Sequence, residues 1–240
     1  FDNSPLASSG LPSKEELELL DVWKDQIPSE VFTETFTPPT TDGSGNDRKN
    51  LLKAKEILEK EGWIVENGKL FKDGQEFKFE FLIVSPSDEK IALAYQSNLK
   101  KLGITMDVRT VDSSQYQERL LSYDFDMIKR YWGVSLSPGN EQQFYWGSEV
   151  GKKDGSRNYP GIDSPAVDAL IEKLINASNR QELTTAIHAL DRVLLWGHYV
   201  VPLYHSNKDR IAYWDFFEYP DEIPLYGIVI ESWWINKDKQ

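Results

Sequence analysis

The feature that most constrains the fold is a run of alternating patterns between residues 77 and 132. In FKFEFLIV (77–84), Phe77, Phe79, Phe81 and Ile83 alternate with mostly polar neighbours. In ITMDVRTV (104–111), Ile104, Met106 and Val108 alternate with Thr105, Asp107 and Arg109. A period of two predicts strands. Between them, DEKIALAYQSNLKKLG sets Ile91, Tyr95, Leu99 and Leu102 on one helical face and stops at Gly103. A second helical stretch, SQYQERLLSY, leads into FDMIKRYW (125–132), read as a third strand. Right-handed crossovers make successive strands of a β-α-β-α-β unit parallel, so all three end at one edge of a sheet. The expected class is α/β, with a parallel βαβαβ core in a mixed sheet flanked by helices.

The flanks supply further elements. Ser13 and Glu16 have capping-box spacing, so a short helix is predicted from there to before Pro28. Residues 33–47, rich in Thr, Pro, Gly and Ser, read as an irregular loop or linker. A helix follows with Leu51, Ala54, Ile57 and Leu58 at helical spacing and Gly62 at its end, and the Asn-Gly and Asp-Gly pairs in ENGKL and KDGQ predict a small hairpin. Ser164 and Pro165 open a helix with Val167, Leu170, Ile171, Leu174 and Ile175 on one stripe. Leu183, Ala186, Ile187, Leu190 and Leu194 repeat the pattern, so an antiparallel helix pair covering the sheet is expected. The tail reads as strands broken by Pro202, Pro220 and Pro224.

Composition narrows the function. With 40% hydrophobic residues among 240, the chain can build a sizeable core. The 27 Lys and Arg against 39 Asp and Glu leave a net charge of -12, which offers no field to attract nucleic acid or an anionic membrane. No Cys is present, which removes disulfides, thiolate metal sites and cysteine nucleophiles. The apolar runs YVVPLY and YGIVI are too short to cross a bilayer. The start has no initiator Met and no basic-then-apolar leader, so a mature product or an excised piece is expected. His188, His198 and His205 lack metal-site spacing. VSLSPG lacks the G-x-S-x-G elbow of a nucleophilic serine, and no carboxylate stands in an apolar context that would raise its pKa. Neither a cofactor nor a metal is called for.

RYWGVSLSPGNEQ (130–142) is then the candidate site, because ligands of open α/β sheets lie outside the carboxyl ends of the strands. By the strand period Arg130 and Trp132 share a face, a cationic head beside an aromatic wall, suited to a peptide's carboxylate and apolar side chain. Gly133 lets backbone approach a ligand, and Asn140, Gln142 and Gln143 offer neutral hydrogen bonds. The rival reading is a connector in which Trp132 packs on a helix, Arg130 pairs with a local acid and the Gln residues start a helix. Twelve per cent aromatic residues, with eight Trp, is a high content, and Trp132, Trp146 and Trp233 could instead be sugar-stacking platforms. A hydrolase relying on His205 or Glu141 is a further alternative.

FDMIKRYWGVSLSPGNEQQFYWGS, NYPGIDSPAVDALIEKLINA, ALDRVLLWGHYVVPLYH, KDRIAYWDFF and PLYGIVIESWWI together resemble the family 5 extracellular solute-binding proteins of bacterial ABC importers, the oligopeptide and dipeptide type. FDNSPLASSGLPS at the start is similar to the microcin C-binding-like subgroup. The resemblance runs along nearly the whole chain. It implies a periplasmic-binding-protein-like lobe of type II, with residues 1–240 as the C-terminal ligand-binding lobe and the N-terminal lobe absent from the chain. It also implies a receptor, not an enzyme, that is periplasmic, or extracellular and membrane-associated through its transporter. Such a receptor encloses oligopeptides or peptide conjugates between two lobes and delivers them to an inner-membrane permease, without membrane insertion of its own.

The same resemblance implies that Trp132, Gly133 and Val134 belong to the ligand wall, and with the residues read above the expected ligand-binding set is Arg130, Tyr131, Trp132, Gly133, Val134, Ser135, Asn140, Glu141 and Gln142. Many peptide-binding members have W-x-A-D-Y there, with the Asp holding the peptide's ammonium. This sequence has Trp132-Gly133-Val134-Ser135-Leu136, so a hydroxyl replaces the acid. A charge-assisted hydrogen bond contributes about 1.5–3 kcal/mol that a hydroxyl does not match. A modified peptide, a conjugate or a different anchoring acid, Glu141, is therefore expected.

Overall fold

The structure is a computed structural model that describes all residues except 2, 3, 46, 133, 134, 136, 204–209, 223, 225, 226 and 240. The chain divides into two units, Phe1–Tyr199 and Val200–Gln240.

Ser13 caps helix α1 (Lys14–Leu20) by accepting from the Glu16 N–H at 3.2 Å. The Glu16 carboxylate does not close a capping box: it is buried against the Arg192 guanidinium, Oε2 to Nε 2.5 Å. A 3-10 turn follows, then the short α2 (Glu30–Thr33). The described residues between Thr33 and Asp47 form no regular element. Helix α3 (Arg48–Lys60) is capped by Asp47. Where one hairpin was expected, three antiparallel strands form: β1 (Ile64–Glu66), β2 (Lys69–Lys72) and β3 (Gln75–Glu76). Both turns place two consecutive residues at positive φ, Asn67 at 50° with Gly68 at 80° and Asp73 at 52° with Gly74 at 78°. That is the conformation Asn-Gly and Asp-Gly pairs favour.

The βαβαβ unit forms as the alternation predicts. Strands β4 (Lys78–Ile83), β5 (Thr105–Thr110) and β6 (Met127–Ile128) make a parallel sheet of order β5-β4-β6, with α4 (Pro86–Lys100) and α5 (Ser113–Leu121) as crossovers. One face gathers Phe81, Ile83 and Met106 with Ala92 and Leu99 of α4. Leu82 points the other way, to Tyr116 and Leu120 of α5. The third strand is far shorter than the predicted 125–132. Pairing ends at Leu82 with Ile128, and the next residue is drawn away. Its ammonium pairs with Asp88 on α4, and its carbonyl accepts from the Tyr116 hydroxyl at 3.4 Å.

Two short helices, α6 (Glu141–Trp146) and α7 (Ser148–Gly151), precede the long pair α8 (Pro165–Ile175) and α9 (Arg180–Trp196). Ser164 and Asn179 cap the pair through their side chains. The predicted stripes are buried: Val167, Leu170, Ile171 and Leu174 meet Ala186, Ile187 and Leu190. Their cover, however, is not the sheet. They pack with Leu6, Leu20, Ile27 and Val31 from the N-terminal segment. A fully buried Leu or Ile contributes about 1.5–3 kcal/mol, so this cluster is a main source of stability.

Polar groups lock that segment in place. Arg192 donates to the carbonyls of Gly10 at 2.7 Å, Ser9 at 2.8 Å and Leu11 at 3.2 Å. Asp191 accepts from the Ser8 N–H at 2.9 Å and hydroxyl at 2.8 Å. The opening motif is thus a strap whose backbone is satisfied by α9.

In the second unit the described residues of the tail form two strands, β7 (Phe217–Glu218) and β8 (Trp234–Ile235), paired antiparallel, and two 3-10 turns, Ile230–Ser232 and Lys237–Lys239. The longer strands read from the sequence are not seen there.

Candidate functional site

The three parallel strands end at one edge, where their connections begin. After β4, Ser85 caps α4 and accepts from the Ser87 N–H at 3.2 Å. After β5, Asp112 caps α5, accepting from the Ser114 and Gln115 N–H groups at 2.9 Å each. After β6 comes the stretch from Lys129 to Trp146. Lys129 neutralises Asp88, and its ammonium lies 5.6 Å from the Tyr131 ring. That ring is 79% exposed.

Arg130 and Trp132 do not stand side by side on a strand face, because the strand has ended before either. They settle on different aromatic platforms. The Arg130 guanidinium lies over the Tyr159 ring, 4.9 Å from its centroid, and donates to the Tyr159 hydroxyl at 3.1 Å. Tyr159 is in turn flanked by Tyr123 and Phe125, each at 6.3 Å. Trp132 stacks on Trp146 with centroids 5.4 Å apart and planes at 22°. Its Nε1 is buried and has no hydrogen-bond partner among the described residues.

The polar residues behind Trp132 are spent on one another. Gln142, only 2% exposed, accepts from the Trp146 indole at 3.0 Å and donates to Glu141 at 3.2 Å. Both Glu141 oxygens accept from the Gly139 N–H at 3.0 Å. Neither residue is a free ligand group: Gln142 fixes the indole, and Glu141 closes the turn before α6. Asn140 is exposed at the start of α6, and Ser135 is exposed, its hydroxyl accepting from the Ser137 N–H at 3.2 Å. Gly133 and Val134 lie outside the described residues, as does His205.

Sequence reasoning missed Tyr159 and the residues that hold it. Asn158 is fully buried and bridges the segment, donating to the carbonyls of Gly147 at 3.0 Å and Ile162 at 2.8 Å and accepting from the Ile162 N–H at 2.9 Å. A Cβ at Gly151 would lie 2.7 Å from the Asn158 amide nitrogen, so only glycine fits there. Asp168 accepts from the Ser148 N–H at 2.9 Å, tying α7 to α8. The available signal was NYPG, an Asn and Tyr beside a Pro-Gly turn. Tyr116, under the same edge, has its hydroxyl pKa pushed up by burial, while the positive charge of Arg130 works against that rise.

Among the described residues no group of three or more His, Asp or Glu could hold a metal ion. No helix there is long and apolar enough to cross a membrane.

Comparison with known proteins agrees with this architecture. Residues 24–154, more than half of the chain, match the bacterial extracellular solute-binding proteins, family 5 Middle. The chain belongs to the family 5 solute-binding proteins. It is 43% identical over 240 residues to the probable peptide-binding protein YejA of Agrobacterium fabrum, covering 99% of this chain and 39% of that protein. It is 40% identical over 236 residues to the peptidoglycan-binding protein YepA of the same organism, covering 98% and 38% respectively. The oligopeptide-binding protein AppA from Bacillus subtilis, solved with a nonapeptide, superposes with a TM-score of 0.57 at 22% identity. That match covers 77% of this chain and 38% of AppA, and it shows a shared fold. The chain spans between 36% and 40% of the length of the curated relatives it matches.

Proposed function

We propose that this chain is the C-terminal ligand-binding lobe of a periplasmic receptor that takes up oligopeptides or peptide conjugates and delivers them to an ABC permease. In this reading an N-terminal lobe closes over the ligand, and the chain carries out no chemical step. The observation that carries it is the arrangement at the sheet edge: Arg130, Tyr131 and Trp132 leave a parallel sheet at the point where its strands end, with Arg130 and Trp132 braced by aromatic platforms. Bracing lowers the entropy cost of gripping a ligand. Ser135 and Asn140, both exposed, offer neutral hydrogen bonds further along the same stretch of chain. Gly133 and Val134 are included in this reading on the family resemblance alone, and the names of the YejA and YepA relatives point to ligands containing peptide.

The stacked Trp132 and Trp146 pair favours oligosaccharides as the second reading, since indoles also stack on sugar rings. Both rings of the pair are half-buried, however, and Trp146 packs against the helical core. Isothermal titration of the complete receptor with a peptide pool, and with cello- and chito-oligosaccharides, separates the two. Heats with peptides, and peptides in the mass spectrum of co-purified ligand, are the expected result. Binding of saccharides alone overturns the proposal.

A further inference from the structure

An apolar cleft of about 530 Å³ opens between helix α3 and the sheet, walled by Ile57, Phe77, Phe79, Leu99, Ile104 and Met127. Phe77, Ile104 and Asp126 stand immediately before β4, β5 and β6, so the cleft lies toward the amino ends of the strands. From there β4 runs six residues, about 20 Å, to the opposite edge, where Arg130 and Trp132 leave the sheet. The volume falls within the range of ligand pockets, about 300–1,000 Å³. Left open, a gap of this size forfeits the dispersion contacts of the rings and aliphatic groups around it. Helix α3 roofs the cleft without filling it: no residue of that helix is buried, and Ile57 is 55% exposed. The one charged group among the lining residues is Asp126, which is exposed. Its Oδ2 accepts from the Glu80 N–H at 2.8 Å, and no cation stands within ion-pair distance of it among the described residues. Beside it, Glu80 and Asp124 share the guanidinium of Arg119, at 2.8 and 2.7 Å, so three carboxylates face a single cation. Tyr95 adds a neutral donor to the lining, since burial pushes its hydroxyl pKa up. Apolar walls with an unneutralised carboxylate at the mouth complement an apolar body that carries a positive charge.

We infer that the α3 cleft is a second binding site, for a small amphiphile whose apolar body lies between α3 and the sheet and whose cationic head lies at Asp126. The surplus of carboxylates disfavours an apolar acid, and the walls disfavour a ligand that is polar throughout. The site is independent of the peptide-binding reading, because no residue of the strand-end wall lines it.

Octylammonium, octanol and octanoate test it on the complete receptor, as one apolar chain with a positive, a neutral and a negative head. Titration calorimetry is expected to rank them in that order. Octylammonium should bind about two- to fivefold tighter than octanol at low salt, with the margin shrinking as salt is added. Asp126→Asn keeps an acceptor for the Glu80 N–H and should erase the margin while octanol keeps its affinity. Ala54→Phe puts a ring into the cleft and should abolish binding of all three. Hydrogen exchange locates the site without any substitution: octylammonium should slow exchange in α3 and around Phe77 and Ile104, and leave residues 129–146 unchanged. Equal affinities for the three probes, or an unchanged margin in Asp126→Asn, overturn the site. Exchange that slows only in 129–146 overturns it too, as does exchange that slows nowhere, the result if another part of the receptor or a second copy already fills the cleft. Each of these outcomes leaves the peptide-binding reading where it stands.

Discussion

The two units of the chain use their apolar residues in opposite ways. Every buried hydrophobic residue among those described lies in Phe1–Tyr199, where aliphatic side chains of helices and strands interlock. In Val200–Gln240 no described residue is buried, and Trp214 is 74% exposed. There the aromatic rings meet one another: Tyr213 and Tyr219 each lie 5.0 Å from Trp233, and Trp214 stacks parallel on Phe216. Apolar content alone therefore does not make a core. A core needs long elements presenting matched stripes, and two strands of two residues each cannot provide them. Stability should be concentrated in the first unit, with the second opening at low cost.

The largest effect that would test this contrast lies in the strap. Arg192→Met takes the guanidinium from the buried Glu16, leaving it only His188 Nδ1 at 3.6 Å, and frees three carbonyls, so a loss of about 3–5 kcal/mol is expected in urea unfolding. A double change with Glu16→Gln should recover part of it. A loss below about 1 kcal/mol would show that the strap is not what holds the first unit together.

A smaller effect is expected from truncation in each unit. Leu190→Ala, at a fully buried position, should cost about 2–5 kcal/mol in the global transition. Trp233→Ala removes two aromatic contacts of roughly 0.5–1.5 kcal/mol each and should leave the global midpoint nearly unmoved. Hydrogen exchange confined to the second unit would sharpen the contrast, and a cooperative loss across both units would break it.

The smallest effect is a pH dependence inside the second unit. The Asn236 side-chain amide, joined by the Trp234 indole and Lys239, holds the Glu218 carboxyl below the ordinary glutamate range. A depressed folded pKa means a contribution fully present above the unfolded value, about 4.3, and lost as pH falls through the lower folded value. Near-ultraviolet dichroism of the β7–β8 pair should show this acid loss in the wild type. In Glu218→Gln the loss should be absent.

Much of the architecture was legible from local signals. The alternation of Phe77, Phe79, Phe81 and Ile83 and of Ile104, Met106 and Val108, with the caps at Ser13, Ser164 and Pro165, specified the parallel sheet and the helix pair. Period and capping report on a residue's own neighbours in sequence, so these readings survive folding. Partners distant in sequence follow no such rule. The pair α8–α9 buries its stripe on the N-terminal segment instead of the sheet, and Glu16 leaves its capping position for Arg192. Gln142 and Glu141 turn inward to serve Trp146 and Gly139. Arg130 and Trp132, two positions apart, part company for Tyr159 and Trp146. Each of those choices goes to whichever side chain burial and hydrogen-bond satisfaction favour once the chain is compact, and that competition is invisible in the order of the residues.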